Sequence, residues 1–319
     1  MTETTQGRRT GAAVAMIVGS CTSLQFGAAL AVGLFDAMGT WGVTLLRLAI
    51  SAGVLVVVAR PRIGGWGRRQ WAAIIAFGVM MAAMNGFFYT AISRIPLGTA
   101  VAIEFLGPLV LSSVLSRRRS DLLWVGLAFV GMALLGIDSV LGASSLDMVG
   151  VACALIAGLF WAGYILTGAR VSRTVPGSGG LAVALVVATV VLLPIGTGQA
   201  LPAMHDWRLL ALGAGTALLG SVIPYTLEQG ALRRLPEHVF GVLLSLEPAI
   251  AALAGLALLH QAIGLLPALA IAAVIAASVG TTMNAARKAK VGAEQTPEHA
   301  RGVGSRPPSD TEREPMPAA

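Results

Sequence analysis

Apolar residues run along this chain in blocks separated by short polar joints that carry arginine, glycine and proline. A helix needs about 20 predominantly apolar residues to cross the hydrocarbon core of a bilayer. Ten blocks meet or approach that length, at 12–35, 41–59, 71–93, 96–116, 122–137, 147–168, 180–198, 207–232, 236–259 and 262–283. Because the joints are short, consecutive helices are expected to be antiparallel neighbours. Residues 1–11 are expected to form a cytoplasmic N-terminus. Residues 284–319 are polar and hold five prolines, so a disordered cytoplasmic tail is expected there.

The pattern repeats itself. Gly11 and Gly19 match Gly150 and Gly158 at a shift of 139, and Arg94, Pro96 and Pro108 match Arg234, Pro236 and Pro248 at a shift of 140. Five helices per unit is an odd number, so the second copy enters the membrane upside down. The expected fold is therefore an all-α integral membrane protein of ten transmembrane helices. They form two inverted five-helix repeats, over 12–137 and 147–283, with a site near the midplane between the halves.

Charge fixes an expected orientation. With the N-terminus inside, sixteen arginines and lysines fall in or beside the inner loops, against only Arg94 and Arg208 outside. That asymmetry is the positive-inside rule at work, with both ends cytoplasmic. The formal charge of +7 does not point to nucleic acid, because the bases sit in short clusters with no extended basic face. Trp41, Trp71, Trp124 and Trp207 each open an expected helix, where an indole sits at the headgroup level. Trp161 alone falls mid-helix.

Composition agrees. The chain of 319 residues is 56% hydrophobic and 12% charged, with 39 glycines, and its mean hydropathy is +0.80. A soluble enzyme, a disulfide scaffold and a disordered protein are excluded. Cys21 and Cys153 lie in apolar runs and read as small core residues. The stretch around Cys21 has some likeness to a lipoprotein signal, but the apolar run continues well past it, so no cleavage is expected.

The chemistry lies in the few polar side chains within the spans. Ionisable groups there are rare and commonly face a cavity; they are Arg47, Glu104, Glu228 and Glu247. Pro108 removes the donor that would bond the carbonyl of Glu104, and Pro248 frees that of Leu244. Each place thus offers a kink, a free carbonyl and a carboxylate, though a simple pairing of one glutamate with Arg47 or a neighbouring hydroxyl is the plainer alternative. Ser221, Tyr225, Glu228 and Gln229 fall on one helical stripe. The 140-residue shift carries Tyr225 and Gln229 onto Asn85 and Tyr89, and a shift of 139 carries Thr22 and Gln25 onto Trp161 and Tyr164. Matched polar positions in both halves favour a polar cavity over helix–helix hydrogen bonding alone. The candidate substrate- and proton-binding set is Glu104, Glu247, Glu228, Tyr225, Tyr89, Asn85, Trp161, Tyr164, Gln25 and Arg47, with Glu104 first as the proton-titrating group. The four histidines are scattered, no phosphate-binding loop is present, and no Ser–His or Ser–Lys pair lies within the spans. An enzyme, a metal and a cofactor are therefore not expected.

Several stretches carry a family likeness: Gly42–Ala49, Met84–Tyr89, Ile95–Leu109, Ser116–Val125, Ile223–Glu228 and Ser245–Ala249. They resemble the drug/metabolite transporter superfamily in its EamA-type branch, and within it exporters of threonine and homoserine in the bacterial inner membrane. The resemblance covers roughly 12–283. It implies ten helices in two inverted repeats and proton-driven efflux of small amino acids or related metabolites. The expected partners are a small-molecule substrate, protons and the lipid bilayer. A same-fold exporter of a drug or another metabolite stays open as the alternative, with a membrane enzyme or a non-transporting scaffold behind it.

Overall fold

A computed structural model describes residues 2–116, 119–140, 147–175, 178–232 and 243–294, and these are almost entirely helical. In chain order the helices are α1 (Thr2–Val32), α2 (Phe35–Ala59), α3 (Arg68–Ile92), α4 (Leu97–Glu104), α5 (Leu106–Ser116), α6 (Arg119–Val140), α7 (Met148–Thr174) and α8 (Gly179–His205). They continue with α9 (Trp207–Ala217), a π-helical segment (Leu218–Val222), α10 (Ile223–Leu232), α11 (Glu247–Leu259) and α12 (Leu265–Glu294). Among the described residues, six stretches are long and apolar enough to cross a membrane: α1, α2, α3, α7, α8 and the rod Trp207–Glu228. Four shorter apolar stretches lie among the same residues: Leu97–Leu111, Leu122–Leu135, Glu247–Leu259 and Leu265–Gly280.

The helices pack in a reciprocal pattern. α2 lies along α8, α6 along α12, and α4 against α11. α3 packs on α7, while α1 packs on the rod formed by α9, the π segment and α10. Large apolar side chains point outward, among them Val58, Leu123, Leu159 and Leu265, whereas Gln25, Arg47, Asn85, Glu104, Ser221 and Glu247 are buried. That is the reverse of a water-soluble surface, and it is the arrangement a lipid solvent favours.

Several elements refine the sequence expectation. The fourth span carries the kink expected near Pro108: it breaks at Phe105, immediately after Glu104. The ninth is interrupted by a turn at Ser245 and Leu246, directly before Glu247 and Pro248. In both places a proline withholds an amide donor near the break, and in α11 it occupies the first turn, where the missing donor is harmless. The eighth span carries a π segment, which adds a residue to the turn. The last helix runs to Glu294, so residues 284–294 are helical; 295–319 lie outside the described residues, as do Arg234 and Pro236. Trp41 lies two residues beyond a kink in α2, near the start of its second straight segment, and packs edge-on against Phe87 at 5.6 Å. Just before it, α2 kinks at Gly39, which adopts φ 61°, and the amide of Gly42 donates to Gln199 Oε1 on α8 at 3.2 Å.

The tightest helix crossing holds the break at Glu104 in place. Gly107 of α5 and Gly158 of α7 meet backbone to backbone, and a Cβ on Gly158 would lie 2.5 Å from the Glu104 carbonyl oxygen. Only hydrogen fits there, so the register of α4–α5 on α7 is fixed by two glycines. Cys21 and Cys153 are buried free thiols.

Candidate functional site

The site is built around one buried guanidinium. On α2, Thr44, Arg47, Leu48 and Ser51 are all buried, and their spacing is that of a single helical face. Arg47 Nη1 donates to the Tyr89 hydroxyl at 2.7 Å, Nη2 donates to Asn85 Oδ1, and the guanidinium carbon stands 4.9 Å from the centre of the Tyr89 ring. Asn85 and Tyr89 are four apart on α3 and so share a face. Asn85 Nδ2 donates to the Met81 carbonyl at 2.8 Å, which aims its oxygen at the arginine. Every partner of the guanidinium is neutral, and Nε has none. No carboxylate among the described residues makes an ion pair with Arg47.

The opposite wall is the π segment. Gly220 lies against Arg47, a Cβ there falling 3.2 Å from Nη1. The wider π turn draws carbonyls off the helical ladder, and Ser23 of α1 donates to one of them, Leu219, at 2.8 Å. Ser221 is buried and its hydroxyl has no partner.

Three carboxylates complete the cluster, and they are not equivalent. Glu228 accepts from Ser20 Oγ at 2.8 Å. Glu247 accepts from Gln25 Nε2 at 3.2 Å. Glu104, at the end of α4, lies within electrostatic reach of Glu247 and Arg47, yet no described residue hydrogen-bonds its carboxylate. The phenols of Tyr164 on α7 and Tyr225 on α10 interact across the bundle, and Tyr164 also packs on Phe77 at 4.9 Å.

The structure thus joins Arg47, Asn85, Tyr89, Glu104, Glu228, Glu247, Gln25, Tyr164 and Tyr225 through bonds or charge. Tyr89 is fully enclosed, so it holds the arginine and presents no open surface. Trp161 meets Phe105 edge-on at 4.8 Å beside the break. The side chain of Gln229 lies outside the described residues. Thr22 turns away: its hydroxyl donates to its own helix at Val18, and it lines an open groove of about 560 Å³ with Val18, Phe26 and Leu219. Sequence reasoning missed Ser20, whose only signal was polarity in a stretch of small residues, and serine is common in packed membrane helices.

Relatives place this bundle in a family. Threonine/homoserine exporter RhtA of Salmonella typhimurium (strain LT2) is 40% identical over 273 residues, covering 85% of this chain and 91% of the relative. The protein of the same name from Escherichia coli (strain K12) is 38% identical over 281 residues, covering 87% and 94%. The chain belongs to the EamA-like transporter family. The EamA model itself matches residues 148–283. A solved crystal structure shares the fold at a TM-score of 0.50 and 19% identity, covering 84% of this chain and 98% of that one. The EamA membership makes this a multi-pass membrane protein of a transporter family, the EamA-type branch of the drug/metabolite transporters.

Proposed function

We propose that the protein exports small amino acids, threonine and homoserine first among them, across the inner (plasma) membrane in exchange for protons. The observation that carries the reading is the 38–40% identity to proteins named threonine/homoserine exporter, over nine-tenths of their length. The buried site supports it: a guanidinium, three carboxylates, two amides and three phenols suit a zwitterion better than a lipid or an aromatic drug.

The architecture we infer is ten spans in two inverted five-helix repeats, over 12–137 and 147–283, with both termini cytoplasmic. The reciprocal packing of α3 on α7 and of α1 on the α9–α10 rod supports this arrangement. So do the interruptions at Phe105 and at Ser245–Leu246, which are 140 residues apart. The match of the family model to 148–283 supports the second unit.

Coupling rests on Glu104. It is the carboxylate that no described side chain hydrogen-bonds, whereas Ser20 and Gln25 engage Glu228 and Glu247. A proton taken from outside and released inside as the halves rock restores Glu104 for the substrate ammonium. Substrate and proton then exclude each other at one carboxylate, and that exclusion is the exchange. A membrane potential adds about 2.3 kcal/mol per charge per 100 mV to the proton's downhill entry.

Growth tolerance tests the reading. Cells expressing the protein, with membrane insertion verified, should tolerate higher threonine, homoserine or toxic analogues of them. Unchanged tolerance with inserted protein rejects amino-acid export.

A further inference from the structure

Three buried side-chain atoms among the described residues have no hydrogen-bond partner: Arg47 Nε, Ser221 Oγ and Gln25 Oε1. Their residues are at most 4% exposed. Buried polar groups are nearly always paired, so each unpaired one asks what it meets in the working protein. Arg47 and Gln25 belong to the cluster itself, and Ser221 directly follows Gly220, which lies against Arg47.

On one side stand donors. Arg47 is a full positive charge whose other nitrogens are held by the neutral Tyr89 and Asn85, leaving Nε free. Ser221 follows Gly220, the residue that lets the π segment close on the guanidinium. A hydroxyl and an N–H beside a cation form a seat for a carboxylate. On the other side stand acceptors. Gln25 gives its amide nitrogen to Glu247, leaving Oε1 free beside that carboxylate, and Glu104 lies within electrostatic reach of both Glu247 and Arg47, its carboxylate hydrogen-bonded by no described residue. A carbonyl oxygen among carboxylates is a seat for an ammonium, which has three donors and no acceptor.

We propose that the substrate lies across the site with its α-carboxylate on Arg47 Nε and Ser221 Oγ and its α-ammonium on Gln25 Oε1, Glu247 and Glu104. This rests on the amino-acid export reading and adds which end goes where. Both charged ends are then required. Amides and esters of amino acids, their lactones and their deaminated counterparts are excluded, whatever their side chain. Ser221 is a substrate-binding residue, and Asn85 and Tyr89 are positioning residues that act through Arg47.

The test is counterflow of labelled threonine into proteoliposomes holding the full chain. The competitors are unlabelled threonine, threoninamide (no carboxylate) and 3-hydroxybutyrate (threonine without its amine). In wild-type protein, both analogues should compete at least about tenfold more weakly than threonine, the scale of a lost hydrogen bond to a charged group. Ser221→Ala should weaken threonine about tenfold and threoninamide less, since a neutral amide carbonyl accepts a weaker hydrogen bond than a carboxylate. Ser221→Thr keeps the hydroxyl and should keep threonine affinity. Gln25→Leu should weaken threonine and leave 3-hydroxybutyrate unchanged. Threoninamide competing as well as threonine in wild-type protein overturns the assignment, and that arm needs no variant to fold. Equal weakening of threonine and threoninamide by Ser221→Ala overturns it as well, by making Ser221 structural. Absence of any threonine counterflow in wild-type protein overturns the export reading itself, and this assignment with it.

Discussion

Arg47 and Tyr89 form a double contact: Nη1 donates to the phenol oxygen at 2.7 Å while the guanidinium lies 4.9 Å from the same ring. One residue of α3 thus fixes both the position and the tilt of a cation that α2 carries into the bundle. Tyr89→Phe keeps the ring and removes the acceptor. An N–H of a buried charge is then left unpaired, at a cost of about 1–3 kcal/mol. Thermal unfolding in detergent should show a clear loss of stability. An unchanged midpoint would mean that the hydroxyl does not hold the arginine.

Glycine at position 158 is a requirement of space. Gly158→Ala places a Cβ 2.5 Å from the Glu104 carbonyl oxygen, with backbone on both sides. Overpacking of this kind destabilises by about 1–3 kcal/mol. Gly53 is the control, because an added Cβ there meets nothing within 4 Å. Gly53→Ala in the body of α2 should be neutral or slightly stabilising, by up to about 1 kcal/mol. Equal effects of the two substitutions in a thermal-shift series would refute the crossing.

The long apolar helices were legible in sequence because burial in lipid needs only length and hydropathy, which α2, α3, α7 and α8 carry plainly. Ionisable residues within spans are so few that Arg47, Glu104, Glu228 and Glu247 identified themselves. What the sequence hid was local backbone geometry. The π turn at Leu218–Val222 and the backbone crossing of Gly158 on Glu104 left no mark in the pattern, whereas Pro108 and Pro248 announced the interruptions at Phe105 and at Ser245–Leu246. Helix periodicity gave the stripe through Tyr225 and Glu228 but gave Thr22 the wrong neighbours, since a threonine can satisfy its hydroxyl on its own helix. Partner choice was also invisible: nothing in spacing distinguishes Glu228, bonded to Ser20, from Glu104, whose carboxylate no described residue hydrogen-bonds.

The Arg94–Asp147 bridge joins the end of α3 to the start of α7 at 2.9 Å, and Asp147 also accepts from the amides of Val149 and Gly150. The hydrogen bond from Arg94 is the main cause that holds the Asp147 carboxyl below its ordinary value of 3.8, with the amide of Gly150 next. A depressed carboxylate stabilises the fold above that ordinary value and loses its contribution as pH falls below it. Asp147→Asn keeps the cap oxygen and removes the charge. The variant's stability should fall less than that of the wild type on acidification below 3.8, and the difference should shrink in high salt because the pair is exposed. Parallel acid profiles would contradict this.

The inferred topology places Ser93 outside and Arg173 inside. Both positions are exposed, so Ser93→Cys and Arg173→Cys should react with an impermeant thiol reagent from opposite faces of intact cells and inverted vesicles. Labelling from one face would exclude the arrangement.

Proton exchange through Glu104 is the central claim, and transport driven by a pH gradient in proteoliposomes tests it most directly. Wild-type protein should move threonine against its concentration gradient when a pH gradient is imposed, and should exchange it passively without one. Glu104→Gln should lose the pH-driven component while remaining folded and inserted. Glu104→Gln working normally against a pH gradient while Glu247→Gln fails would move the coupling to α11. Normal pH-driven transport by both variants would contradict carboxylate coupling at this site altogether.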